Sequence, residues 1–173
     1  MIYVLRMGHR IKRDERLTTH VCLAARAFGA DGVILSGERD EKLLEGIRKV
    51  SEKWGGNFAV RYEEDWKKVI KGFEGDRIHL TMYGERLDRV ISAVKKSRKD
   101  KLIVVGAGKV PRDVYNLVGW NVSVGNQPHS EVSALAVFLH EWFGGKELLR
   151  GFKGAWLRIT PCKRGKSVVS CRK

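Results

Sequence analysis

Cysteine is scarce in this 173-residue chain: Cys22, Cys162 and Cys171 are odd in number, widely spaced and without a CxxC pair. That argues against a disulfide framework or a cysteine-based zinc site and suits free thiols in a reducing compartment. Long apolar runs are missing too. The amino-terminal Ile2–Leu5 run is a strand's length, too short to span a membrane, and no small-residue cleavage site follows it. The expectation is a soluble, cytoplasmic protein. Glutamine occurs once, at Gln127, and asparagine four times, while 31% of residues are charged. Few thermolabile amides beside many ion-pairing groups is a thermophile pattern. No GxxxxGK[ST] loop is present. The segment GAGKVP holds a lone GxG without the third glycine of a dinucleotide fingerprint. His9 and His20 have no carboxylate at ligand spacing, so no metal is expected.

What is present is positive charge, +14 overall from 34 Lys and Arg against 20 Asp and Glu. Such a balance favours polyanions, nucleic acid before anionic membrane, although it also serves solubility. The length suits one compact domain with a small appendage, and 43% hydrophobic residues can build a core. We place the domain at residues 1–150 and a basic extension at 151–173. From Lys153 to Lys173 the extension carries seven Lys or Arg and no acid. It is either a solvated terminus or an arm against phosphates.

Short β-type runs alternate with helical patterns. Strands are predicted at Ile2–Leu5, Gly32–Leu35, Phe58–Arg61, Ile78–Met82, Leu102–Val105 and Asn121–Val124. Helical spacing joins Leu43, Leu44, Ile47, Val50 and Trp54, then Leu87, Val90, Ile91 and Val94, and after Pro128 Val132, Leu135, Ala136 and Leu139. This alternation predicts an α/β fold, a largely parallel sheet with helices on both faces. His79, in an apolar strand, and the five tryptophans are read as core residues.

Two connections share one plan. In LIVVGAGKVPRDVY (102–115) and NVSVGNQPHSEVSA (121–134) a buried-type strand ends in Gly, a short turn follows, and Pro opens a helix. Gly106 and Gly125 permit a sharp turn or close approach of a ligand to the backbone. Pro111 and Pro128 suit a first helical turn. In a parallel sheet both turns lie at the carboxyl edge, where open α/β sheets bind ligands. They form a candidate pocket for an adenine-bearing or other small polar ligand, or are two ordinary loops. The segment GHRIKRDERLTTH (8–20) gathers Arg10, Lys12, Arg13 and Arg16, which we read as a polyanion-binding or catalytic turn, or a solvated one.

Taken together, VLRMGHRIKRDERLTTHVCLAARAFGADGVIL, IVVGAGKVPRDVY and VSVGNQPHSEVSALAVFL resemble the archaeal tRNA (cytidine(56)-2'-O)-methyltransferase family of the SPOUT class. The resemblance runs from about Tyr3 to Phe143. It implies a C-terminal trefoil knot, a homodimer, and S-adenosylmethionine bound among the knot loops. The implied cofactor residues are Gly106, Ala107, Gly108, Lys109 and Val110, then Val124, Gly125, Asn126, Gln127, Pro128, His129, Ser130 and Glu131, with Leu80 or Thr81 on the preceding strand. The implied reaction is methylation of a ribose 2'-hydroxyl in the T loop of tRNA. Broader relatives carry Glu where Gly108 stands, and Ser and Asn where His129 and Glu131 stand. Their catalytic Arg aligns with Leu23, so the arginine is sought at Arg10, Arg13 or Arg16, with Arg16 preferred. The base is sought at His20, His129 or a cofactor-adjacent group. Arg10, Lys12, Arg13 and Arg16 are the candidate RNA contacts. A non-catalytic basic RNA-binding protein is the alternative.

Overall fold

The computed structural model describes residues 1–106 and 108–171. Six strands, β1 (Ile2–His9), β2 (Gly32–Gly37), β3 (Ala59–Tyr62), β4 (Gly75–Arg86), β5 (Asp100–Val105) and β6 (Trp120–Ser123), form one sheet. Their spatial order is β3-β2-β1-β5-β4-β6, and every pairing is parallel. The central strands are near-continuous apolar runs because both faces of the sheet are covered; Leu102 to Val105 are all buried.

Right-handed crossovers sort the helices. Connections from β1 to β2, β2 to β3 and β4 to β5 step one way along the sheet. They put α1 (Ile11–Ala27), α2 (Glu41–Trp54) and α4 (Leu87–Lys96) on one face, where α6 (Glu131–Phe143) joins them. Connections from β3 to β4 and β5 to β6 step the other way and put α3 (Trp66–Gly72) and α5 (Arg112–Leu117) on the opposite face. All six strands therefore end on one common edge, which carries the site.

Three local expectations are corrected. The run from Arg10 to His20 is not a turn: α1 begins at Ile11, directly after β1. Its buried stripe starts with Asp14 and Thr18 and turns apolar only at Val21, Cys22 and Ala25, so hydropathy alone misses the first two turns. β4 continues past Met82 to Arg86 through an irregularity, and Val122 of β6 registers with both Leu80 and Glu85. Pro128 lies outside the helix. Ser130 is the N-cap of α6, its Oγ accepting from Val132 N at 3.2 Å. The extension, for which the sequence leaves a solvated terminus and a phosphate-binding arm both open, holds structure. After a 3-10 turn (Lys146–Leu149), β7 (Leu157–Ile159) and β8 (Val168–Ser170) pair antiparallel. Gly56 N donates to Lys153 O at 2.8 Å and Trp156 N to Lys53 O at 3.0 Å, tying the hairpin to the end of α2. Among the described residues no helix is long and apolar enough to cross a membrane.

Candidate active-site cleft

A cleft of about 1060 Å³ opens at the carboxyl edge of β4, β5 and β6. One wall is the β5–α5 connection, with Gly106, Gly108, Lys109 and Val110. The wall opposite is the β6–α6 connection, with Pro128, His129, Ser130 and Glu131. Leu80 and Thr81 of β4 lie on the floor between them. The two glycine-bearing connections thus face one space, as their shared plan requires. Ala107 lies outside the described residues. Val124, Gly125, Asn126 and Gln127 do not line the cleft. Asn126 instead anchors its loop, Nδ2 donating to Met82 O at 2.8 Å and to Ser123 Oγ at 3.1 Å.

The glycines differ in what they do. A Cβ on Gly106 would collide with Val110 Cγ2, so this loop folds tightly over its own glycine, and Gly108 has φ +73°. At Gly125 a Cβ would meet nothing within 4 Å, and φ is not positive. The protein's own packing does not require that glycine.

Two buried groups bring chemistry to the cleft that the sequence did not reveal. Arg6 of β1 is 0% exposed. Its Nη1 donates to Met7 O at 2.9 Å, and its Nη2 stands 3.2 Å from Glu131 Oε1. That second contact is coulombic, because neither atom meets hydrogen-bond geometry and Arg6 Nε also lacks an acceptor. Burial lowers the guanidinium's pKa, opposed by the charges of Glu131 and Asp14. The ion pair holds Glu131 at the first turn of α6, where the helix dipole also favours its negative charge. The one clue in sequence was a lone arginine within the apolar stretch Tyr3–Met7.

His79 is the other. It is buried at the cleft floor, edge-on to Tyr115 with ring centroids 4.9 Å apart. Asn121 Nδ2 donates to Tyr115 O at 3.0 Å, so Asn121 Oδ1 is left to accept from His79 Nδ1, also 3.0 Å away. Nδ1 therefore carries the proton. Burial depresses the ring's pKa, and Nε2 of the neutral ring is an acceptor without a donor among the described residues. Tyr115, Arg112, Asn116 and Tyr83 complete this side of the cleft and were likewise not singled out.

The remaining predicted residues lie apart from the cleft. Arg10 is occupied: Nε and Nη2 bind Asp14 Oδ2 and Oδ1 at 2.7 and 3.1 Å. This bidentate bond lowers the Asp14 pKa. Lys12, Arg13, Arg16 and His20 are exposed on α1. None of them forms an ion pair among the described residues. His9 is buried between Thr18 Oγ1 at 2.9 Å and Asp40 Oδ2 at 3.4 Å. Among the described residues no three His, Cys, Asp or Glu cluster in a way that could hold a metal.

Residues 54–169 match the family model described as tRNA ribose 2'-O-methyltransferase, aTrm56. A tRNA (cytidine(56)-2'-O)-methyltransferase of Pyrococcus horikoshii is 54% identical over 172 residues, covering 98% of this chain and 85% of that one. The chain belongs to this family. The relative from Thermococcus kodakarensis is 52% identical, over 98% of this chain and 97% of its own. Among solved structures, a TrmH/SpoU tRNA modifying enzyme of A. aeolicus superposes with a TM-score of 0.62 at 14% identity, over 84% of this chain and 75% of that chain. The SpoU methyltransferase AviRb of Streptomyces viridochromogenes, solved in complex with AdoMet, gives 0.55 at 11% identity. That match covers 84% of this chain and 57% of AviRb. At these identities the likeness speaks for the fold. The fold of this tRNA 2'-O-methyltransferase family member is thus the SpoU-type α/β sheet.

Proposed function

We propose that the cleft binds S-adenosylmethionine and presents it to a ribose 2'-hydroxyl of tRNA. As a family member the chain is a tRNA ribose 2'-O-methyltransferase, and its relatives' named target is cytidine 56. The observation carrying the cofactor assignment is the meeting of both glycine-bearing connections in one cleft that also holds unsatisfied acceptors. Glu131 Oε1 and His79 Nε2 have no hydrogen-bond donor among the described residues, and the proposed cofactor carries an ammonium and an adenine amine. Gly125, on the same connection but outside the cleft lining, has open space against its backbone. When bound, the cofactor supplies an activated methyl group on a sulfonium.

This chain's residues supply position and proton handling. Gly106 to Val110 and Pro128 to Glu131 orient the donor, and orientation is a large part of the rate for such a transfer. Gly125 and Asn126 shape the loop, with Val124 and Gln127 beside them. The 2'-hydroxyl proton needs a base within hydrogen-bond reach. His129 at the rim is the candidate in this chain's own cleft, its Nδ1 2.5 Å from Gln127 O. Arg16 and His20 lie outside that cleft. Their proposed parts, charge stabilisation by Arg16 and proton acceptance by His20, require the cleft to be completed by a second copy. Leu23 on α1 and Val137 on α6, 36% and 43% exposed, are apolar groups suited to that homodimer contact. Arg10 is assigned to holding Asp14, and Lys12 and Arg13 to phosphate contact.

The same reading includes the trefoil knot. Val122 registers with both Leu80 and Glu85, and a Cβ on Gly84 would strike Asn121 O. The 80–86 segment therefore wraps closely round β6, the arrangement expected where the chain leading into α6 threads a loop. The test is twofold: calorimetry with S-adenosylmethionine, and mass mapping of methyl groups on tRNA incubated with protein and labelled cofactor. Heat of binding and one methyl at cytidine 56 are expected. No heat and no methyl would leave only a basic RNA-binding protein.

A further inference from the structure

At the amino edge of the sheet, opposite the cleft, lies a second groove of about 760 Å³. It runs between the α4–β5 turn, the end of α6 and the 3-10 turn that follows. β5 alone is six residues long, so the groove lies roughly 20 Å from the cleft at about 3.3 Å per residue.

Its construction centres on a buried cation. Lys101 is 2% exposed, and an ammonium taken from water costs several kcal/mol unless fully paired. It donates to Ser97 O at 3.0 Å and to Lys99 O, and its charge is paired with Asp76 Oδ2 2.9 Å away, a coulombic contact that misses hydrogen-bond geometry. The Trp142 ring centroid is 5.3 Å from the same Nζ. Two of these bonds clamp the turn that carries Arg98 and Lys99. Lys95 Nζ donates to Glu141 O at 2.5 Å and fastens α4 to α6. The Met1 ammonium binds Asp100 Oδ1 at 2.5 Å. A fixed frame thus presents Arg98 and Lys99 on one side of the groove and Lys146 on the other.

These three cations are exposed and have no acidic partner among the described residues. The acids of the groove are already engaged. Asp31 Oδ2 accepts from Ile2 N at 2.6 Å, and Glu147 Oε1 binds His140 Nδ1 at 2.6 Å. Glu147 Oε2, however, finds no donor among the described residues. The groove therefore combines unpaired cations with an unsatisfied acceptor, which matches a ligand bearing both phosphates and hydroxyl donors. A ribose-phosphate backbone has both.

We infer that this groove is a second tRNA-binding surface, gripping the sugar-phosphate backbone while the carboxyl edge holds the target nucleotide. The inference rests on tRNA being the substrate. Its test is the full-length triple variant Arg98→Glu, Lys99→Glu, Lys146→Glu, whose changes are exposed and touch neither cleft nor core. The expected result is a KM for tRNA raised tenfold or more, with kcat and S-adenosylmethionine affinity unchanged. The log–log salt slope of tRNA binding should fall by about 0.7 to 0.9 per lost phosphate contact. A variant matching the wild type in KM and salt slope overturns the groove. So does one whose only change is in oligomeric state by light scattering, since the surface then joins copies of the chain. A wild type that leaves tRNA unmethylated strikes the function itself, which separates the two failures.

Discussion

Arg6 and His79 show how a single buried polar side chain acquires meaning only from its partners. In sequence each interrupts an apolar strand; folded, His79 lines the cleft and Arg6 lies behind Glu131, each with an atom left without a hydrogen-bond partner among the described residues. Arg6→Ala leaves Glu131 without its counter-charge, and loss of one partner of a buried ion pair costs about 3 to 5 kcal/mol. Urea denaturation of Arg6→Ala, Glu131→Gln and the double variant measures the coupling, and the double variant should lose less than the sum of the singles. His79 gives a pH signature. Its folded pKa is depressed by burial, so above the unfolded value of about 6.5 both states hold the ring neutral. Below that value the unfolded chain takes up a proton that the folded chain refuses. The neutral ring's contribution is therefore lost as pH falls from about 6.5 toward the depressed folded value. The thermal midpoint of His79→Gln should accordingly lose less than that of the wild type between pH 7 and 5. Parallel curves would mean that Nε2 is protonated inside the fold.

The two connections and α1 behave as units. Gly106→Ala forces Val110 aside, so its loop must open and cofactor affinity should drop at least tenfold by calorimetry. Gly125→Ala has space around it and should change stability by less than about 0.5 kcal/mol. Any loss of cofactor binding there reports contact with the ligand itself. Ser130→Ala removes the cap of α6 and costs about 1 kcal/mol, readable as a lower midpoint in denaturant. In α1 the arginines divide by employment. Arg10 fastens the first turn through Asp14, while Arg16 forms no ion pair among the described residues. Arg16→Ala should therefore keep the wild-type melting temperature and still lose turnover. Equal losses of stability and activity would make Arg16 structural.

Across the assembled protein, an isolated chain puts Arg16 and the cleft in separate places, and a homodimer would reunite them. Mixing Arg16→Ala protein with a Gly106→Val protein, each inactive alone, should restore up to about a quarter of wild-type activity by forming heterodimers with one intact site. No recovery after verified subunit exchange would place both functions in one protomer. The charge argument operates at the same level. A chain of +14 that binds tRNA through α1 and the opposite groove should show steep salt dependence, and the groove variant should remove part of that slope.

Strand and helix identity was legible along the chain wherever apolar periodicity was unbroken, as in Leu102–Val105 or Leu87–Val94. So were the parallel sheet, the common edge and the two glycine-bearing connections, because alternation and turn chemistry are local properties. The family resemblance was carried by contiguous motifs in the same way. The first turns of α1 escaped because Asp14 and Thr18 occupy its buried stripe, where hydropathy registers only polar residues. Arg6 meeting Glu131, 125 positions further on, and Asn121 setting the tautomer of His79 follow from no local pattern. Those contacts depend on the fold setting the start of α6 against β1 and pairing β4 with β6. Burial turns them into chemistry: only where water is excluded does an unmatched acceptor or an enclosed guanidinium become a group that must find its partner in the fold or in a ligand.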